Sequence, residues 1–229
     1  MTAFNGSFNY THKMRRKITK NNSNMQAYAH VFYKQYKKLN FSCVYQKKAV
    51  PLQPNWENMD SFEQLCQKRR SIRKYTDRPV EQEKIDYLLR CALMSPSAKR
   101  TCPWEFVVVR DEAKLRPLAG CRTYGSQMFN TAMAAIVIAL DPTLCDNTWM
   151  ADGAIAAEHI LLAAAEQGLG ACWCHVHERE GAPELVRKTC GIPDNLEILC
   201  AIALGYPDEE KSSYDLSRLK YEKIHNEQF

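Results

Sequence analysis

Hydrophobic and polar residues repeat with two different periods, so that helix-like and strand-like stretches follow each other from residue 59 onward. This pattern predicts helices over 61–68, 81–94, 111–119, 149–167 and 182–189, and strands over 104–110, 134–140, 171–177 and 196–204. The helix over 149–167 is apolar on nearly every side, so we expect it to be central. The order of these elements predicts an α+β domain with a central mixed or antiparallel sheet of four or five strands, covered by helices.

The composition is that of a globular protein. Hydrophobic residues make up 45% of the 229 residues and charged residues 25%, which argues against a disordered or fibrous chain. The longest uncharged apolar run, residues 132–140, is much shorter than the roughly 20 residues that a membrane helix needs, and the first 30 residues contain no apolar run typical of a secretory signal. Ten cysteines are scattered through hydrophobic segments, which favours reduced thiols in a cytoplasmic protein.

The formal charge of +5 is divided unevenly along the chain. Residues 1–58 contain ten Lys and Arg but only one acidic residue, whereas residues 59–229 have a net charge of −4. Four interpretations of this basic extension stay open: an arm that binds nucleic acid or a partner, a transit peptide, a solvated extension, or translated upstream sequence that is not part of the natural protein, with Met59 as the true start. We expect residues 59–229 to form the functional domain, and nucleic-acid binding is the less favoured function.

The densest chemical signal is a basic run over residues 69–75, which we expect to be extended. In an extended chain alternate side chains share a face, which would place Arg69, Ser71 and Arg73 together. Two guanidinium groups and a hydroxyl on one face suit a phosphate group. The alternative is a solvated basic strand, although Ile72 within the run indicates partial burial.

Three more elements follow along the chain. A polar loop over 95–103 leads into a hydrophobic strand, and such loops either carry binding groups or simply connect two elements. Gly168 and Gly170 permit close approach of a ligand or another helix, or serve only to end the preceding helix. The turn over 205–207 is followed by two basic residues, Lys211 and Arg218.

Together these elements resemble the nitroreductase family of flavin enzymes, in the same order and with similar spacing from Met59 to the C-terminus. Residues 69–75 look like the flavin-phosphate motif of that family, and 103–106 look like its proline-tryptophan strand entry. Residues 168–173 and the stretch from 191 to 207 look like its later signatures. Residues 1–58 have no counterpart in this resemblance.

The resemblance implies an α+β homodimer that binds one FMN per subunit at its interface. It also implies that NADH or NADPH reduces the flavin, and that a nitroaromatic, quinone or similar small acceptor then takes the electrons in a ping-pong order. The residues assigned to the cofactor are Arg69, Arg70, Ser71 and Arg73 at the phosphate and ribityl end, Ser97 and Arg100 in the loop, Cys174 and His175 near the isoalloxazine, and Lys211 and Arg218 on the C-terminal side of the phosphate.

The chain departs from the family pattern ahead of the proline-tryptophan pair. The family often has Asn and Gln there, two amides that contact the flavin ring, whereas this chain has Arg100, Thr101 and Cys102. Arg100 has the donors to bind a flavin carbonyl or to stabilise negative charge on the ring. No essential acid or base is predicted, because the cofactor carries the chemistry.

Two other functions compete with the flavin enzyme. Cys172, Cys174, His175 and His177 are the residue types that bind zinc, but alternate residues of a strand point to opposite faces, so one metal ion would not collect all four. The second is a nucleic-acid- or partner-binding protein that acts through the basic extension, with an inert or sensory flavin domain. Deleting residues 1–58 would abolish that function and leave flavin reduction intact.

Overall fold

The computed structural model describes residues 60–145 and 147–229. The predictions for residues 1–58, including the four interpretations of the basic extension and the domain boundary at Met59, lie outside the described residues. The nucleic-acid- or partner-binding alternative depends on that extension and therefore stays a prediction. Within the described part of the chain, no helix combines the length and the apolar character needed to cross a membrane.

In the described part of the chain four strands form a single sheet: β1 Trp104–Val109, β2 Ala134–Leu140, β3 Gly170–His175 and β4 Glu197–Gly205. Their order is β1-β2-β4-β3, and each neighbouring pair is antiparallel. The predicted α+β class is confirmed, with four strands and an antiparallel rather than mixed arrangement. All seven residues of β2 are buried, which explains its unbroken apolar run.

Within residues 60–145 and 147–229, five α-helices accompany this sheet: α1 Phe62–Lys68, α2 Gln82–Leu93, α3 Glu112–Leu115, α4 Trp149–Glu166 and α5 Ala182–Cys190. Helix α1 begins at a capping box, in which Ser61 and Gln64 each accept the other's backbone N–H. The single helix predicted over 111–119 is wrong, because α3 ends after one turn and continues as the 3₁₀ segment Arg116–Gly120. Pro117 has no N–H to donate to an α-helical bond there.

The sheet has an apolar layer on each face. On one face, Ile138 of β2 packs in a cluster with Ile160 of α4 and residues of α2. On the other face, Val137 packs in a cluster with Val186 of α5 and Phe129 of the 3₁₀ turn Gln127–Asn130. Helix α4 contributes eight buried residues, as expected for a central helix. The core therefore holds the sheet from both faces, and its edge strand β3 supports the candidate site.

Candidate functional site

The basic run lies against the edge of the sheet at β3. In this arginine segment (residues 69–76), the Ile72 N–H donates to the Ala171 carbonyl at 3.0 Å, and Ser71 forms a parallel bridge with Ala171. Farther along, the Thr76 N–H donates to the Tyr206 carbonyl at 2.9 Å, just past the end of β4. The segment is thus tied to two strands of the sheet, so its side chains have a rigid support.

Two glycines make this close contact possible. A Cβ atom on Gly170 would lie 2.7 Å from Cγ2 of Ile72, and one on Gly205 would lie 2.8 Å from Cβ of Tyr75. Neither distance is compatible with a side chain unless the arginine segment moves. The close approach predicted for a ligand or another helix is therefore made at Gly170 by Ile72. Gly168 has the left-handed φ of +70° one residue past the C-cap of α4, which confirms its role in ending that helix.

The arginine segment forms one wall of a cavity of about 670 Å³, which we call the first cavity. This volume is in the range of small-molecule sites. Four cationic side chains line it, and one of them, Lys68, is already paired with Asp60 at 2.6 Å. The other three are the predicted residues Arg69, Arg70 and Lys211, all of them half-buried. The apolar side of the cavity comes from Ile72, Leu161, Ala165, Leu169, Ala171 and Pro207.

Tyr214 orients the two arginines. The Arg70 guanidinium lies 4.5 Å from the centre of the Tyr214 ring and donates to the Ser212 carbonyl. Arg69 donates to the Tyr214 hydroxyl at 3.3 Å, and the Tyr214 N–H donates to the Gln67 carbonyl of α1 at 3.0 Å. The cation–π contact and these hydrogen bonds hold both guanidinium groups beside the first cavity.

Lys211 reaches the same cavity from the C-terminal side. Its ammonium donates to the Ser71 carbonyl at 2.5 Å and lies 3.2 Å from Oε1 of Glu209. The same Glu209 oxygen accepts the backbone N–H of Arg73 at 2.5 Å, and this hydrogen bond lowers the pKa of the Glu209 carboxyl. Glu209 is therefore ionised at neutral pH and connects the arginine segment to the C-terminal segment.

Arg73 lies in a different place from Arg69. It lines a second cavity of about 440 Å³ together with Lys74, Gly125, Gln127, Met128, Thr131 and Glu209. The expectation that Arg69, Ser71 and Arg73 share one face is therefore not met for Arg73, although the Arg73 guanidinium donates to the Ser71 carbonyl at 3.4 Å. Ser71 itself lines neither cavity. Glu209 lines both cavities, so the two lie next to each other.

Ser97 and Arg100 lie in the loop before β1 and line neither cavity. The Ser97 hydroxyl accepts the N–H of Cys102 at 3.0 Å, and Arg100 is exposed with a left-handed φ of 60°. Asp152 of α4 holds the start of this loop, because its Oδ1 accepts the N–H of Ala98 at 3.0 Å. Its Oδ2 is buried and has no hydrogen-bond partner among the described residues.

Cys174 and His175 also lie apart from the two cavities. The Cys174 thiol is fully buried, 3.9 Å from the Cys121 thiol, and the contact with that thiol together with burial raises the pKa of Cys174. His175 is half-buried and its ring stacks on that of Trp173. Burial, followed by the charge of Arg179, lowers the pKa of His175, so its ring is neutral near pH 7.

The remaining predictions concern Arg218 and a metal. Arg218 is exposed in the 3₁₀ turn Leu216–Arg218 and lines neither cavity. Cys172 and Cys174 face the core, whereas His177 is half-buried between Glu178 and Glu197. Among the residues that the structure describes, no group of three or more His, Cys, Asp or Glu is placed to hold a metal ion.

Sequence reasoning missed three residues that shape this region. Glu209 and Tyr214 follow the Gly-Tyr-Pro turn, in a stretch where the charge of Lys211 attracts more notice than its neighbours. Asp152 is one of few charged residues in an otherwise apolar helix, which is a signal that could have been used. The roles of Glu209 and Tyr214 depend on contacts between residues that lie far apart in the sequence, which no local pattern reveals.

The chemistry of the first cavity is that of an anion site. Two guanidinium groups and an ammonium converge on one space, and charge-assisted hydrogen bonds from such donors suit phosphate oxygens. The apolar residues beside them offer a surface for a larger organic group. The residues present therefore fit a flavin phosphate.

Comparison with known proteins identifies the family of this chain. Residues 66–131 and 119–206 match the Nitroreductase family. A protein of Archaeoglobus fulgidus named as an NADH dehydrogenase/NAD(P)H nitroreductase is 38% identical over 175 residues, which cover 75% of this chain and 100% of that protein. A similarly named protein of Methanothermobacter thermautotrophicus is 38% identical over 172 residues, 74% of this chain and 89% of the relative.

A solved structure gives the same answer at the level of the fold. An FMN-dependent nitroreductase from Clostridium difficile superimposes with a TM-score of 0.70 and 43% sequence identity, covering 72% of this chain and 98% of that one. The resemblance first seen in the motifs thus extends over the described domain. By its sequence and its fold, this chain belongs to the nitroreductase family.

Proposed function

We propose that this protein is an FMN-dependent oxidoreductase that takes electrons from NADH or NADPH and passes them to a nitroaromatic, a quinone or a similar small acceptor. One observation carries the proposal: Arg69, Arg70 and Lys211 bring three cationic donors to one cavity beside β3. The names of the relatives support the same activity, since they combine a nitroreductase with NAD(P)H or FMN.

The three cations of the first cavity would hold the FMN phosphate. They neutralise its charge without further rearrangement, because Tyr214 and Ser71 already fix their positions. When bound, FMN supplies two-electron redox chemistry through its N5 position. The protein would contribute orientation and charge: Arg69 and Arg70 would hold the phosphate, and Arg73, which lines the adjacent second cavity, keeps its predicted place at the phosphate and ribityl end.

We also propose that the active form is a homodimer with the flavin at its interface. Large apolar side chains are exposed at the end of α2 and along the C-terminal segment, including Met94 at 72%, Ile224 at 67% and Leu93 at 60%. This exposure supports the proposal that a partner covers part of this surface. Ser97, Arg100, Cys174, His175 and Arg218 keep their assignment to the cofactor as predictions, and a second copy would have to bring the loop and tail residues to the flavin.

The reductant and the acceptor are proposed to use the same site in turn, which gives a ping-pong order. Steady-state rates with varied NADH or NADPH at several fixed quinone concentrations should give parallel double-reciprocal lines. Intersecting lines would contradict a ping-pong order and would show that both substrates are bound to the protein at the same time. If the protein with added FMN oxidises neither NADH nor NADPH in the presence of nitroaromatics or quinones, the proposed activity is wrong.

The state of the cysteines bears on where the protein is located in the cell. The nine cysteines that the structure describes are all free thiols, including the close pair Cys121 and Cys174. A thiol-rich protein without disulfides in its described part is typical of a reducing compartment. This supports the proposal of a cytoplasmic enzyme, which fractionation of the producing cells would test.

A further inference from the structure

Glu209 places a carboxylate beside a site built for an anion. It lines both cavities and has the lowered pKa of an ionised group at neutral pH, where it would repel a phosphate in the first cavity. Its neighbour Glu210 also lines the first cavity, but within the described residues Glu210 makes no hydrogen bond or ion pair, whereas Glu209 makes two specific contacts. The Glu209 carboxylate would repel a bound phosphate and yet is held by two specific contacts, so we expect it to have a structural role.

Glu209 and the Ser71 carbonyl both contact the ammonium of Lys211. The ammonium of Lys211 has three N–H donors, and it lies 2.5 Å from the Ser71 carbonyl and 3.2 Å from Oε1 of Glu209. These two acceptors fix the direction of the ammonium and leave a donor for an anion in the first cavity. Because Oε1 of Glu209 also accepts the Arg73 N–H, the lysine and the arginine segment are held in one frame.

We propose that Glu209 is a positioning residue, which aims the Lys211 ammonium at the phosphate of the bound cofactor and locks the arginine segment to the C-terminal segment. This inference rests on the proposed function. It implies that Glu209 has two opposite effects on FMN binding. Its charge weakens binding by repulsion, and its contacts strengthen binding, because the ion pair orients Lys211 and the hydrogen bond from the Arg73 N–H holds the arginine segment.

Two substitutions separate these effects. Glu209→Gln removes the charge and keeps an oxygen that can accept from Arg73 and Lys211, so we expect FMN to bind about two- to fivefold tighter, the size of a partly exposed charge effect. Glu209→Ala removes the charge and also the accepting oxygen. We therefore expect this variant to bind FMN about tenfold more weakly than the Glu209→Gln variant does, as when one charge-assisted hydrogen bond is lost. Riboflavin, which has no phosphate, should bind to both variants with the same affinity, to within about twofold.

Glu210 provides the matched control. Glu210→Gln and Glu210→Ala remove the same charge from the same cavity without removing a hydrogen bond, so their FMN affinities should be equal to each other. The Lys211→Ala background provides the second control. When Glu209→Ala and Glu209→Gln are each combined with Lys211→Ala, the difference of about tenfold between them should fall below about threefold, since the ammonium to be aimed is absent.

The dissociation constants of FMN and riboflavin, measured by fluorescence titration of the full chain at fixed ionic strength, decide the question. If Glu209→Ala and Glu209→Gln bind FMN equally, or if their difference persists in Lys211→Ala, the positioning role is wrong and Glu209 acts only as a charge. Should Glu209→Ala fail to fold, Glu209→Ser, which is too short to reach Lys211, takes its place. Failure of the proposed function itself is distinct, because the unmodified chain would then bind FMN no more tightly than riboflavin.

Discussion

The contact between Gly170 and Ile72 gives the sharpest test of how the sheet supports the arginine segment. In a Gly170→Ala chain the new Cβ would lie 2.7 Å from Cγ2, 2.8 Å from Cβ and 3.2 Å from Cγ1 of Ile72. Ile72 is buried and its own N–H is bound to Ala171, so it has little room to move away. The added methyl group must therefore displace the arginine segment from β3.

The expected cost is that of overpacking a well-filled contact, about 1–3 kcal/mol in the free energy of unfolding. For a domain of this size, a loss of about 2 kcal/mol corresponds to a fall of roughly 4–8 °C in the thermal midpoint. FMN affinity should fall by about tenfold or more, because Arg69 and Arg70 move with the segment and their charge-assisted hydrogen bonds to the phosphate weaken. Calorimetry or circular dichroism measures the midpoint, and fluorescence titration measures the affinity.

Gly120 is the matched control for this substitution. No atom lies within 4 Å of the position that a Cβ on Gly120 would take, and its φ is not in the left-handed region. Gly120→Ala should therefore change neither the midpoint nor the affinity appreciably. Ile72→Ala should reduce the cost of Gly170→Ala, because it removes the Cγ1 and Cγ2 contacts. If Gly170→Ala matches Gly120→Ala in both measurements, the contact does not support the arginine segment.

Three further predictions concern the charges around the site. Arg69→Ala should weaken FMN binding by about 10- to 100-fold through loss of a charge-assisted hydrogen bond, with riboflavin binding unchanged; an equal loss for riboflavin would contradict a phosphate contact. Asp152→Ala should lower the free energy of unfolding by about 1–3 kcal/mol, because the Ala98 N–H loses its acceptor, while Asp152→Asn should retain most of it; equal losses would show that this hydrogen bond is not the cause. Glu209 has a pKa below its value of about 4.3 in an unfolded chain, so its stabilising effect is complete above that value and is lost as the pH falls through the lower folded value. Urea unfolding from about pH 6 to about pH 3 should accordingly show the unmodified chain losing stability relative to Glu209→Gln, and a constant difference would contradict the ionised Glu209.

The sequence was sufficient to predict the elements whose pattern is local. The buried run of β2 and the long apolar helix α4 were both recognisable, since each pattern is set by burial on both sides. The early end of the helix predicted over 111–119 could also have been predicted, because Pro117 lies inside that range. The sheet order β1-β2-β4-β3 could not be predicted, because the pairing of strands that are distant in the sequence produces no local hydrophobic pattern.

The site was predicted in part for the same reason. Arg69 was found from the basic run itself and Arg70 and Lys211 through a family resemblance, and the structure brings the three to one cavity. Arg73 was misplaced because strict alternation was assumed across Ile72, which is instead fixed in the space beside Gly170. Glu209 and Tyr214 were missed because their contacts join the two ends of the domain. Long-range contacts of this kind become visible only when the chain is folded.

The visible absorption spectrum of the purified protein, with the released cofactor identified by chromatography, tests the central claim most directly. We predict two flavin bands, release of FMN at about one per chain, and bleaching of the bands by NADH or NADPH. Arg69→Ala and Lys211→Ala should lower the FMN content in the same preparation. A colourless protein that also fails to bind added FMN would contradict the flavin assignment, because the cationic cavity beside β3 would then hold some other anion or none.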